Sequence, residues 1–134
     1  MSSVQTAAVA AATLLGAVIV FQLALAAGAP WGRMAYGGRA TQGDGTLSRR
    51  HRFASGMAAL ALTAAMWVVL AAGSVVSQGS VSDSALTITT WVLAVLFVMN
   101  TVGNLAGEHP MERWGAGTVA ALLAGLCVVL ALGS

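Results

Sequence analysis

Four long apolar stretches are the feature of this sequence that most limits how the chain can fold. They cover residues of about 5–29, 53–76, 85–106 and 111–132. A helix needs roughly 20 mostly apolar residues to cross the hydrocarbon core of a bilayer. The pattern therefore predicts an all-α protein, a four-helix transmembrane bundle that forms a single membrane domain over residues 1–134.

The overall composition agrees with a membrane domain and excludes several other classes. Hydrophobic residues make up 58% of the chain and charged residues only 7%, whereas soluble domains carry about 25% charged residues. The basic residues are six arginines and no lysine, and a nucleic-acid-binding protein needs a clustered basic face on a charged surface, which this composition does not indicate. Cys127 is the only cysteine and has apolar neighbours, so we expect a small buried side chain rather than a disulfide or redox pair.

Turn-forming and capping residues separate the four stretches. Ser48 is placed to cap the second helix, Asp83 to cap the third, and Pro110 to occupy the first position of the fourth. The connections are then two loops on one side, of about 30–52 and 107–110, and one loop on the other side, of about 77–84.

The positions of the arginines predict the orientation. Five fall in the first connection and the sixth, Arg113, follows the third, while the second connection and both termini contain none. Short cytoplasmic loops carry an excess of Arg and Lys. We therefore expect both termini outside (N-out/C-out) and, given an Ala-, Gly-, Val- and Arg-rich composition of the high-GC bacterial kind, a location in the bacterial cytoplasmic (inner) membrane.

Three amide side chains fall within the predicted hydrocarbon region: Gln22, Asn100 and Asn104. Unpaired polar groups are costly in hydrocarbon, so such side chains usually face a partner or a cavity. Asn100 and Asn104 are one helical turn apart. We expect all three to face the bundle interior, where they either bind a ligand or bond neighbouring helices together.

Trp67 lies deep in the second stretch, unlike the other three tryptophans, which fall near the expected interfaces. It is either a packed or lipid-facing indole, or part of the wall of a ligand cavity.

Charged residues also cluster at the predicted cytoplasmic rim. They include Arg33, Glu108, His109, Glu112 and Arg113. One interpretation is a topology signal combined with lipid-headgroup contact. The other is an ion-paired gate or docking face beneath the asparagines.

Enzymatic motifs are missing from the sequence. It contains no His-Glu-x-x-His, no Gly-x-Ser-x-Gly and no phosphate-binding glycine loop. Two histidines with Glu108 make a weak ligand set for a metal. We predict neither catalytic activity nor a bound metal or cofactor.

One resemblance covers most of the chain. It is carried by Phe-Gln-Leu-Ala-Leu at 21–25, Gly-Ala-Pro-Trp-Gly at 28–32, Gly-Gly at 37–38, Asn-Leu at 104–105 and Glu-Arg-Trp at 112–114. In these segments the chain resembles a group of small, uncharacterised four-span membrane proteins of the actinobacterial type. The resemblance implies the four-span topology and no known activity. It also suggests that Gln22, the Pro-Trp-Gly turn, Asn104 and the Glu-Arg pair matter together.

Small residues recur at four-residue spacing on three of the stretches, and such stripes let helices approach closely in lipid. They are Ala8, Ala12 and Gly16; Ser55, Ala59 and Thr63; and Gly117, Ala121 and Gly125. These are more small-residue stripes than a single four-helix bundle needs, which favours an oligomer or a larger complex. The leading hypothesis is an oligomeric membrane protein that binds or passes a small solute or lipid-like ligand, and the alternative is an accessory subunit of a larger membrane complex.

Overall fold

The computed structural model describes residues 1–133, which form helices joined by three loops. The long helices are α1 (Ser3–Ala27), α2 (Arg49–Ala72), α3 (Asp83–Leu105) and a fourth composed of a π-helical segment (Met111–Ala116) continued by α4 (Gly117–Gly133). All four are long and apolar enough to cross a membrane. The predicted all-α fold with four candidate membrane spans is therefore confirmed.

The first helix ends two residues before the predicted position. Gly28 adopts a left-handed conformation (φ 104°), and its N–H donates to the carbonyls of Ala24 and Leu25. This is the usual way in which a glycine ends a helix.

The second helix begins at Arg49, four residues earlier than predicted, because Ser48 caps it as expected and its hydroxyl accepts from the N–H of His51. The third helix is capped by Ser82 and not by Asp83. The Ser82 hydroxyl accepts from the N–H of Ala85 at 3.1 Å, which leaves Asp83 in the first turn, near the positive end of the helix dipole.

Helices α1 and α2 pack against each other along their length, as do α3 and α4, and the two pairs meet mainly where α1 contacts α4. On α1 the predicted small-residue stripe lies on the packed side, with Ala8 buried and Ala12 and Gly16 half-buried. On α2 the predicted stripe is wrong at its last position, because Ser55 and Ala59 are buried but Thr63 is exposed.

On α4 the predicted stripe is wrong beyond Gly117, because Ala121 and Gly125 are exposed. The small residues that are buried on α4 are instead Gly117, Ala120, Ala124, Cys127 and Ala131. These alternate between three- and four-residue steps, the spacing that suits the left-handed crossing of neighbouring helices.

The two ends of the bundle differ in charge. One end contains the first loop (residues 28–48), the third loop (106–110) and all six arginines, and we call it the arginine end. At the opposite end the start of α1 meets the ends of α2 and α4, since Gly73 packs on Ala8 and Gly133 on Val4. The arginines thus lie together in space as well as in the predicted topology.

Candidate functional site

The first loop folds back onto the end of α1 as an ordered layer. Its Leu47 packs with Leu25 and Ala35 in a small buried cluster separate from the main core. The N–H of Gly32 donates to the carbonyl of Gly45 at 2.8 Å. A Cβ on Gly32 would lie 2.9 Å from that same oxygen, so only glycine allows these two segments of the loop to approach so closely.

Aromatic contacts attach this loop to both helices of the first pair. The rings of Phe21 and Trp31 are parallel, with centroids 6.2 Å apart. The Tyr36 hydroxyl lies 3.1 Å from that of Ser55, which is fully buried. The Tyr36 ring meets His51 edge-on at 4.9 Å, and these contacts hold Tyr36 at a positive φ of 53°.

Glu112 is the most buried charged residue of the arginine end, with 4% of its surface exposed. Its Oε1 accepts a hydrogen bond from the N–H of Gly37 at 3.0 Å. Its Oε2 is buried without a hydrogen-bond partner in residues 1–133 and lies against Gly107, where a Cβ would approach it to 2.5 Å. The carboxylate therefore connects the first loop, at Gly37, with the third loop, at Gly107.

Adjacent charged residues of the π-helical segment point to different sides. Glu112 faces inward, while the neighbouring Arg113 is exposed and its Nε donates to the Gly107 carbonyl at 3.2 Å. Before the segment, Nδ1 of His109 accepts from the N–H of Met111 at 3.1 Å. Wider π turns of this kind are rare and occur frequently at functional sites.

The predicted rim is thus divided between an inner and an outer part. Glu112 is inside, His109 is half-buried, and Arg33, Glu108 and Arg113 are exposed. The contacts that Glu112 and Arg113 make are with backbone groups of the two loops. The ion-paired gate remains a prediction.

The three amide side chains do not share one interior. Asn100 lies on the exposed outer face of α3, which corrects the expectation that it faces inward. Helix α3 buries only a narrow stripe, through Ala94 and Phe97, and this stripe continues to Asn104, which is half-buried beside Gly117. Asn100 is one residue out of register with that stripe.

Gln22 and Trp67 occupy different environments. Gln22 is half-buried on α1, and its Oε1 is enclosed with no hydrogen-bond partner among residues 1–133. The Trp67 side chain is 40% exposed on α2. A ligand-contacting role for either residue stays a prediction.

A concave surface at the arginine end was not predicted from the sequence. It is a groove of about 830 Å³ between the end of α1, the first turns of α2 and the first loop. Its lining consists of Ala26, Gln42, Leu47, Arg49, Arg52, Phe53, Gly56, Met57 and Leu60. The sequence feature that could have indicated this groove is Arg-Arg-His-Arg-Phe at 49–53, where a basic run meets the start of an apolar helix.

Arg52 forms the inner wall of this groove. Its Nε donates to the carbonyl of Ala26 at 3.0 Å, near the negative C-terminal end of α1, where a cation is favourable. The guanidinium also lies beside Gly28, whose missing side chain leaves room for it. Arg52 therefore joins α1 to α2 and is held in a defined position.

Comparisons with known proteins assign this chain to no family. The sequence matches no protein-family model, and no curated protein or solved structure is significantly similar to it. Within residues 1–133, no group of three His, Cys, Asp or Glu side chains is arranged to hold a metal ion. The resemblance to small actinobacterial-type membrane proteins therefore stays a prediction.

Proposed function

We propose that this protein is a non-enzymatic, multi-pass membrane protein that binds a lipid-like ligand in the groove of the arginine end. The observation that supports this most is the combination of two arginines with a wall of exposed apolar side chains in one concave surface. Of the two ligand classes considered from the sequence, a small solute or a lipid-like molecule, the second fits such a surface better.

Water as the only surroundings does not explain why the apolar side chains of the groove wall are exposed. Phe53 is 72% exposed and Leu60 is 66% exposed, and both line the groove. In a membrane these side chains meet acyl chains, while the arginines at the mouth meet headgroups. A molecule with a polar head and an apolar tail can contact the arginines and the apolar wall at the same time.

The proposed setting follows from the charge distribution. Six arginines at one end favour a cytoplasmic location for that end, in a bacterial inner membrane. The groove would then open to the inner leaflet.

An alternative role, as a subunit of a homo-oligomer or of a larger membrane complex, draws on the outer face of α3. That face exposes Val92, Val95, Met99 and Val102, and it carries the polar Asn100 among them. An amide within an apolar face is suited to a hydrogen bond with a neighbouring helix. Native mass spectrometry distinguishes this role, because it reports bound chains and bound small molecules separately.

The test of ligand binding uses the protein released gently from its own membrane. We expect a recurrent bound mass in the lipid range with wild type, and its loss with Gly56→Leu, which narrows the groove opposite Ala26. Phe53→Ala is a second variant that removes an exposed wall without touching the core.

The matched control is Gly125→Leu on α4, where a side chain meets open space. Melting temperatures identify any variant that fails to fold. A wild-type protein that carries no bound mass, or equal retention in groove and control variants, would overturn the proposal.

A further inference from the structure

We propose that the ligand of the groove is an anionic phospholipid, with its phosphate at Arg49 and Arg52 and an acyl chain along Phe53, Met57 and Leu60. This inference rests on the proposed function and deepens it by naming the chemistry of the ligand. It is carried by the charge of the lining, the fixed position of Arg52 and the order of residues along α2.

The lining of the groove has one sign of charge. It contains two arginines and neither Asp nor Glu. One acidic group outside the lining, Asp44, acts electrostatically on Arg52, and its single negative charge does not offset the two positive charges of Arg49 and Arg52. The groove therefore presents a net positive surface to a ligand.

Arg52 is arranged to bind a phosphate. Its hydrogen bond to Ala26 uses Nε only, so the two Nη nitrogens can still donate. A guanidinium whose position is already fixed loses less conformational entropy when it binds, and its planar donor pair matches the oxygens of a phosphate. A lysine at this position would supply the charge without that geometry.

The order of residues along α2 matches the order of groups in a phospholipid. Arg49, Phe53, Met57 and Leu60 follow one another at steps of four, four and three residues, so they lie on one face of the helix. Each turn rises about 5.4 Å. The charge is at the arginine end, and the apolar side chains extend from it towards the middle of the span, as headgroup and acyl chain do.

A role of these arginines in topology alone makes a different prediction. Orientation depends on how many positive charges lie on one side and not on which arginines line a groove. Arg39 and Arg50 lie at the same end but outside the lining. They provide a control with the same loss of charge.

The experiment measures lipid retention by the delipidated full-length protein in mild detergent. The probes are phosphatidylglycerol and phosphatidylcholine with identical acyl chains, followed by native mass spectrometry. We expect wild type to prefer phosphatidylglycerol and Arg49→Gln to weaken its retention about fivefold, with a further loss of similar size for Arg52→Gln. Arg39→Gln combined with Arg50→Gln should leave the preference unchanged.

Arg52→Gln also removes the hydrogen bond to the Ala26 carbonyl and could unfold the protein. In that case Arg49→Gln and Arg52→Lys test the inference in its place. Equal retention of the two lipids by wild type would overturn the inference and leave the proposed lipid binding intact. Retention of neither lipid would overturn both. Displacement of phosphatidylglycerol by an equal concentration of inorganic phosphate would show that the site takes the free anion, and it too would overturn the inference.

Discussion

The N–H of Gly37 donates to Oε1 of Glu112 at 3.0 Å, between residues 75 positions apart in the chain. The contact joins the first loop to the beginning of the fourth helix and therefore connects the two helix pairs at the arginine end. A buried carboxylate is costly to desolvate. The buried Glu112 carboxylate is explained by the Gly37 N–H that it binds and by the first loop, which it holds in position.

Replacement of Glu112 should separate its hydrogen bond from its charge. Glu112→Ala leaves the Gly37 N–H without its acceptor, and we expect a loss of about 1–3 kcal/mol in the free energy of unfolding. Glu112→Gln keeps an acceptor and should stay within about 1 kcal/mol of wild type. Thermal unfolding and amide exchange of the first loop check both, and equal behaviour of the two variants would contradict the role of the hydrogen bond.

Gly107→Ala should be destabilising because the new Cβ would lie 2.5 Å from Oε2 and 2.6 Å from Cδ of the buried Glu112. Overpacking of this kind costs about 1–3 kcal/mol. Gly103→Ala is the matched control, since it lies on α3 with nothing within 4 Å. In a double-mutant cycle with Glu112→Ala the penalty should shrink, and additive effects would place the clash elsewhere.

Gly73→Ala should disturb the opposite end of the bundle. A Cβ there would overlap the Cβ of Ala8 and come within 3.2 Å of the Val4 carbonyl, so we expect a loss of about 1–3 kcal/mol. Because Ala8 is fully buried, Ala8→Gly should restore part of the stability in the double variant. Detergent unfolding midpoints measure this, and no rescue would argue against direct α1–α2 contact at Gly73.

Cysteine labelling in cells tests the predicted orientation. Gly43→Cys lies in the first loop, where a side chain meets open space, and Ser80→Cys lies exposed in the second loop. An impermeant thiol reagent should label Ser80→Cys from outside and Gly43→Cys only after the membrane is opened. The buried Cys127 leaves wild type as an unlabelled control, and the reverse pattern would invert the topology.

The turn at Asp44 should depend on pH in a defined direction. Hydrogen bonds from the Thr46 hydroxyl and then from its N–H hold the pKa of Asp44 below its ordinary value of 3.8. The stabilisation is therefore complete above that ordinary value and is lost as the pH falls through the lower pKa of the folded state. NMR titration of the Thr46 amide should give a midpoint below 3.8, and Thr46→Val should move it upward, whereas an unchanged midpoint would contradict this cause.

The sequence alone determined the helical class, the four candidate spans to within a few residues at each end, the Ser48 cap and the separation of the arginines from the second loop. These features depend on hydropathy and on capping groups that act within a few residues of the chain. Local signals suffice for such features because no distant contact is needed to produce them.

The tertiary structure decided which side of each helix is buried. Apolar residues surround these spans on all sides, so periodicity cannot identify the packed face. The outward position of Asn100, the inward position of Glu112 and the groove at Arg52 all depend on helix rotation and on a loop that folds back over α1. Those arrangements are set by contacts between segments far apart in the chain, and residue types in sequence order do not reveal them.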